Sequence, residues 1–252
     1  MATYRTTGFI IKRTDFGEAD RILTIFTQYK GKVSAIAKGV RKMESRKGGN
    51  VELFNLTRFQ LAEGKTMDIV LEAEVEASYQ KLREDLHLVS LVYQLVELVD
   101  QFIQEDQANS IAFLLFKQAI ESLNDSPTED AARKILAYFQ INFLTSVGFK
   151  PELNQCVKCG DKLVEEGTVF SPHLGGVVDS KDRGTVVSGM EISIEAIKTL
   201  RFFQTEGWSK AKRLKIDEVV LPEVENLLQN YLEFVLEKEL RTVAFTRKTR
   251  TV

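Results

Sequence analysis

"TMDIVLEAEVEASY", residues 66–79, alternates apolar and polar side chains with a period of two. Met67, Ile69, Leu71, Ala73 and Val75 fall on one face, and Asp68, Val70, Glu72, Glu74 and Glu76 on the other. That alternation predicts a strand with one face buried and the other in water. The same pattern recurs upstream. "TGFIIKR" (7–13) and "RILTIFT" (21–27) are rich in β-branched and aromatic residues, and Tyr29–Lys32 makes a turn into "VSAIAKG" (33–39). "ELFNLTRFQLAEG" (52–64) then precedes the quoted strand. Five short strands with no helix-period segment among them predict a small sheet closed into a barrel, because closure removes unpaired edges. A five-stranded OB-type barrel over residues 1–80 is the expected form.

From residue 81 the period becomes helical. Leu88, Leu91, Val92, Leu95, Val96, Val99 and Phe102 recur at i, i+3, i+4, i+7, and a second such run covers 110–123. The clearest helix opens with Ser126 as N-cap, Pro127 at the first helical position and Glu129 completing a capping box. Its stripe is Ala132, Ile135, Leu136, Phe139, Phe143, Leu144 and Val147, and Gly148 and Pro151 end it. Helices resume at Ile192–Phe203 and Pro222–Leu240. The expected architecture is α+β, with a barrel at 1–80 and a helical domain at 81–252.

The 252 residues are 44% apolar, enough to bury a core and unlike a disordered chain. Charges interrupt the first apolar run, as they do not in a signal peptide, and no apolar stretch reaches the roughly 20 residues of a spanning helix. Two cysteines spaced C-x-x-C do not make a secreted disulfide framework. A soluble, cytoplasmic protein without membrane attachment is expected. Residues 1–70 carry 13 Lys and Arg against 7 Asp and Glu, so the remaining residues carry 21 against 29. A basic first third ahead of an acidic remainder suggests a polyanion-binding module.

Catalytic signatures are missing. "EGKT" (63–66) resembles the end of a phosphate loop, but Phe59 stands where its first glycine belongs, so Gly64 and Lys65 read as a hairpin turn. Neither G-x-S-x-G nor H-E-x-x-H occurs, and His87 and His173 are the two imidazoles. A non-enzymatic role is expected. The loop "KGVRKMESRKGGN" (38–50) is more informative, with Lys38, Arg41, Lys42, Arg46 and Lys47 against Glu44 and with glycines that allow it to bend. Such a strip neutralises phosphates with little base preference. Lys12, Arg13 and Arg21 extend it across the barrel, and Phe16, Phe26, Tyr29 and Phe54 are candidates for base stacking or for core.

A third segment, at about 153–187, begins like a zinc ribbon. Cys156 and Cys159 form a C-x-x-C knuckle, and Gly175–Gly176 makes a turn. Where a second cysteine pair is due the chain reads D-S-K-D, Asp179 to Asp182.

Several stretches together resemble the RecO family of bacterial recombination mediators. They are "TTGFIIKRTDFGEADRILTIFT", "AKGVRKMESRKGGNVELFNLTRFQLAEGKTMDIV", "FLTSVGFKPELNQCVKCG" and "FSPHLGGVVDS", in the family's order over essentially the whole chain. The resemblance implies an N-terminal OB-fold, a helical domain and an embedded zinc-ribbon-like element. It also implies binding of single- and double-stranded DNA and annealing of complementary strands. With RecR, such proteins help replace single-strand-binding protein (SSB) so that RecA can load, and the helical domain takes the acidic C-terminal tail of SSB. By that analogy DNA contact falls on Lys12, Arg13, Arg21, Lys38, Arg41, Lys42, Arg46 and Lys47 of a nucleoid-associated protein. Cys156 and Cys159 align with the family's first cysteine pair, and Asp179 and Asp182 with its second. Carboxylates do bind zinc, and His173 is a nearby substitute, but structural zinc sites favour thiolate and imidazole. A structural zinc on these four residues, a metal-free ribbon held by Phe170, Val177 and Val178, and a redox pair all remain as readings. A competing function is a protein-binding adaptor whose basic loop meets an acidic partner. The basic C-terminal "RTVAFTRKTRTV" is a further candidate for DNA contact or a frayed end.

Overall fold

β1 (Thr3–Phe16), β2 (Asp20–Thr27) and β3 (Gly31–Ala37) form an antiparallel meander. β4 (Leu56–Ala62) returns to pair with β1, and β5 (Asp68–Ala77) lies between β4 and β3. The order β1-β2-β3-β5-β4 closes on itself through a short parallel seam, Ala35↔Asp68 and Ile36↔Ile69. This computed structural model describes residues 2–43, 48–125, 128–163 and 167–242. Ile10, Leu23, Ile25, Val33, Ala35, Phe59, Leu61 and Val70 fill the barrel. Gly64 and Lys65 do lie in the β4–β5 turn.

Three bulges interrupt the barrel strands, one of them at Glu76 near the end of β5, and the other two alter the expected faces. In β1 the pairing with β2 shifts between Ile10 and Lys12, which leaves Ile11 extra and buries Phe9, Ile10 and Ile11 in succession. In β5 the register passes from Glu72 opposite Gln60 to Val70 opposite Leu61, so Leu71 is extra. Val70 is buried and Leu71 is 38% exposed, the reverse of the simple alternation. An inserted residue exchanges the two faces of everything beyond it.

Three helices follow in the same compact unit: α1 (Gln80–Glu84), α2 (Leu86–Phe102) and α3 (Ser110–Asn124). The Asp85 carboxylate caps α2 by accepting from the amides of His87 and Leu88 at 2.8 and 3.0 Å. α3 covers the outward-facing rings of the barrel. Phe116 meets Phe9 edge-on with centroids 5.2 Å apart, and Phe113 meets Phe26 at 5.5 Å. Gly31, at φ +65°, makes this approach possible, since a Cβ there would stand 2.2 Å from the Gln107 carbonyl oxygen.

The second compact unit starts at Asp125. Its first helix, α4 (Glu129–Ser146), is capped by Thr128, whose hydroxyl accepts from the Ala131 amide at 3.2 Å. The expected Ser126 cap is therefore replaced by Thr128, and Ser126 and Pro127 lie outside the described residues. Gly148 closes the helix at φ +91°, as its position implies. β6 (Val169–Ser171), β7 (Gly176–Val178) and β8 (Met190–Glu191) make a small sheet in the order β7-β6-β8. α5 (Ile194–Thr205), α6 (Trp208–Ala211) and α7 (Val220–Leu236) complete the unit. α7 starts two residues before Pro222 and ends four before Leu240, where Glu237 turns left-handed at φ +54°. Arg133 of α4 grips Glu225 of α7 with a two-pronged ion pair at 2.7 and 2.8 Å. Beyond Thr242 the basic tail lies outside the described residues. Among those residues no helix is long and apolar enough to cross a membrane.

Candidate nucleic-acid interface and metal group

The barrel's outer surface can be read in rows from the strand register. Phe9, Phe26 and Lys32 form one row, which α3 covers through the ring contacts and α2 through Asp100, 2.9 Å from the Lys32 ammonium. Lys12, Thr24 and Ser34 form the next, and Thr14, Ile22, Ile36 and Ile69 the one beyond. Phe16 stands at the strand end on the same face, half exposed. Ser34 donates to the Glu105 carboxylate at 2.7 Å, and the strip left open is a threonine- and isoleucine-bearing surface with a cation at Lys12 and an aromatic ring at Phe16.

The β1–β2 turn and the loop after β3 meet at the end of this strip. The Arg41 amide donates to the Ala19 carbonyl at 2.9 Å, and the Gly39 amide donates to the Asp20 carboxylate at 2.8 Å. Glu18, Asp20, Lys38, Gly39 and Lys42 line a shallow depression there. Lys38 and Lys42 project into water, and neither they nor Lys12 pair with a carboxylate among the described residues.

The arginines behave differently. Beyond the Ile11 bulge Arg13 lies opposite Leu23, on the face that lines the barrel, and Arg21 shares that face. Glu52 forms ion pairs with both, at 3.4 Å to Arg21, and Asp15 accepts from Arg21 at 3.0 Å. Arg41 pairs with the same Asp15 at 3.4 Å and donates to the Gly17 carbonyl. These guanidiniums close the barrel's end, each ion-paired, with two carboxylates shared among the three. Sequence reasoning placed Arg13, Arg21 and Arg41 beside Lys12, Lys38 and Lys42 and missed Asp15 and Glu52 between them. Arg46 and Lys47 lie outside the described residues. Of the proposed stacking rings, Phe26 and Phe54 are buried core, while Phe16 and Tyr29 are exposed at 51% and 72%.

The ribbon is built on close backbone approach. The Val157 amide donates to Val177 O at 3.0 Å, and a Cβ on Gly176 would lie 2.5 Å from Glu152 O, so only glycine fits. Phe170, Val177 and Val178 are fully buried. Within this frame Cys156 Sγ, Cys159 Sγ and a carboxylate oxygen of Asp182 lie within 4.8 Å of one another. Asp179 stands apart. Its carboxylate, itself buried, accepts from the amide and hydroxyl of Ser180 at 2.7 and 3.2 Å, which makes it the cap of an exposed turn. His173 packs against the Phe234 ring instead, 4.5 Å away.

Two thiols and one carboxylate fit a borderline-soft divalent cation with one coordination position left open. Burial pushes the Cys156 thiol up, but the amides of Asp179, Cys159 and Lys158 aimed at its sulfur outweigh that and hold it below the ordinary thiol value. The Asp161 amide lowers Cys159, while desolvation, the Asp182 carboxylate and Cys156 carry it above that value. Lys181 bridges to Asp161 across the knuckle, and that hydrogen bond keeps the Asp161 carboxyl below its usual range.

Comparison with known proteins covers the chain from end to end. The family description "Recombination protein O N terminal" matches residues 1–79, and "Recombination protein O C terminal" matches residues 83–244. A protein of Dehalococcoides mccartyi (strain CBDB1) named DNA repair protein RecO is 34% identical over 98% of this chain and 96% of its own length. A protein of the same name from Roseiflexus sp. (strain RS-1) is 34% identical over 98% of this chain and 86% of its own. One from Moorella thermoacetica is 32% identical over 96% and 90%.

Proposed function

Since this chain belongs to the RecO family, we propose that it works in DNA repair as a strand-annealing mediator. In this reading the barrel, residues 1–80, binds single- and double-stranded DNA. The helical part, 81–252, meets the acidic tail of SSB and, with RecR, helps clear SSB from gaps so that RecA loads. The work is non-catalytic and belongs to the cytoplasm, at the nucleoid.

The observation that carries the reading is the separation of cations on the barrel. Lys12, Lys38 and Lys42 form no ion pair among the described residues and border the open strip, whereas Arg13, Arg21 and Arg41 are held by Asp15 and Glu52. Free ammonium groups release counterions on meeting phosphates, which gives salt-dependent affinity without base preference. Hydroxyls of Thr14 and Thr24 are suited to donate to phosphate oxygens, and Phe16 offers a ring on which a base can stack. Annealing needs no more than this: two polyanions with their repulsion lowered and their bases left to search for register. A zinc ion on Cys156, Cys159 and Asp182 would serve as a structural clip for the ribbon.

The test is annealing of two labelled complementary strands, bare and then SSB-coated. Acceleration in both cases is expected. No acceleration by folded protein would instead favour an adaptor whose lysines meet an acidic protein.

A further inference from the structure

The second compact unit carries a basic segment that the function above does not use. Residues 208–215 read "WSKAKRLK", with Lys210, Lys212, Arg213 and Lys215 all exposed. Lys210 pairs with Glu206 at 2.7 Å, while Lys212, Arg213 and Lys215 have no carboxylate partner among the described residues. Such a run stands out in a portion of the chain, residues 71–252, that is net acidic.

The segment is held through its backbone, which leaves its cations to solvent. Lys134 donates to the Leu214 carbonyl at 2.9 Å, Tyr138 donates to the Glu206 carbonyl at 3.2 Å, and Ala211 is fully buried. The Trp208 ring lies 5.2 Å from that of Tyr138 and stays partly exposed. Exposed cations close in sequence to a partly exposed indole suit a single strand better than an acidic peptide. Phosphates meet the cations, and any base can stack on the ring.

We propose that the Trp208–Lys215 segment is a second nucleic-acid-binding surface, which takes the backbone of a second strand while the barrel holds the first. The proposal rests on the barrel being a strand-binding module. It gives a single molecule two polyanion sites, one in each compact unit, so that one copy can hold both strands.

Trp208 is the single tryptophan of the chain, so its emission reports on this segment alone. The full-length protein is titrated with a short oligothymidylate while Trp208 emission and the anisotropy of a labelled strand are followed. Annealing is then measured for the wild type, for Lys212→Glu/Arg213→Glu/Lys215→Glu and for Lys38→Glu/Lys42→Glu. The wild type should show a change in emission. The triple variant should lose that change, keep first-strand anisotropy, and anneal slowly. Its slope of log affinity against log salt at the second site should fall by about 2, for three phosphates at roughly 0.7 each. The corresponding glutamine variant gives the same answer if charge reversal disturbs folding. Wild-type emission change and annealing in both variants of the segment would overturn the proposal and leave the barrel reading intact. A response to polyglutamate but not to oligothymidylate would overturn it in favour of a protein-docking surface. Absence of any strand binding by the wild type would remove the barrel reading itself.

Discussion

The guanidinium of Arg21 donates to the carboxylate of Asp15, 3.0 Å away, and Arg41 reaches the same carboxylate from the loop after β3. Glu52 holds Arg21 and Arg13 from the other side. Charges paired in this way are partly offset, so the basic residues of the barrel divide into ion-paired and unpaired ones.

That division predicts two kinds of variant. Lys38→Glu with Lys42→Glu should weaken binding to single strands and reduce the salt slope by about 1.4, for two phosphates. Arg21→Gln should leave the slope unchanged and lower stability by about 1 kcal/mol, because it leaves Asp15 and Glu52 without a shared partner. Fluorescence anisotropy across a salt series and thermal melts separate the two. Equal slopes in all three proteins would remove Lys38 and Lys42 from the interface.

The ribbon makes an independent prediction about metal content. Protein purified without chelator should carry about one equivalent of zinc. Asp182→Asn should lower that occupancy, because Asp182 completes the group with Cys156 and Cys159. Asp179→Ala should keep the metal and lose about 1 kcal/mol from the uncapped Ser180 turn. Zinc well below an equivalent in the wild type would leave the ribbon held by its buried Phe170, Val177 and Val178 instead.

Packing around Gly31 tests the join between the barrel and the chain leaving α2. Gly31→Ala forces a Cβ to 2.2 Å from Gln107 O at a left-handed backbone position, and both effects oppose it. A loss of more than about 2 kcal/mol is expected in denaturant unfolding. A loss comparable to that of Gly17→Ala, where nothing lies within 4 Å, would show that the 104–107 segment yields easily.

Tyr4 predicts an alkaline limb of stability. Burial, then a hydrogen bond donated to Asp68, then the charge of that carboxylate, raise its phenol above the ordinary tyrosine value. Below about pH 10 the phenol is neutral in folded and unfolded chains alike, and its contribution is complete. Above that, the unfolded chain ionises first, and stability falls until the folded phenol also ionises. Tyr4→Phe should therefore flatten the decline above pH 10. Tyr138 and Tyr231, raised chiefly by burial, keep part of the slope. An unchanged slope in Tyr4→Phe would place the effect on those two.

Much of the architecture could be read from period and punctuation. The five strands, the Gly64–Lys65 turn and the α4 stripe all follow from local pattern, since each depends on residues close in sequence. The faces near Ile11 and Leu71 do not, because a bulge is decided by the neighbouring strand and leaves the composition of its own strand unchanged. Phe9-Ile10-Ile11 carried a signal all the same: three apolar residues in succession mean that both faces are covered, here by barrel interior and by α3. The Ile11 bulge also explains why Lys12 and Arg13, adjacent and alike in charge, end in water and in an ion-pair network respectively. Charge counted over the first seventy residues could not separate them. Nor did the net negative charge of the remainder draw attention to Lys210–Lys215, whose four cations stand out in a short window alone.

The barrel is closed by only two residue pairs between β3 and β5, against seven or more between its other neighbours. Opening therefore costs least along that line, and amide exchange should be fastest where those two strands part. A cylinder with one weak stave can spread without unravelling, and Ile36 and Ile69 flank the joint on the outer surface. A strand lying across that surface would bridge the joint and clamp it, so that slowed exchange at Ile36 and Ile69 would record the arrival of DNA.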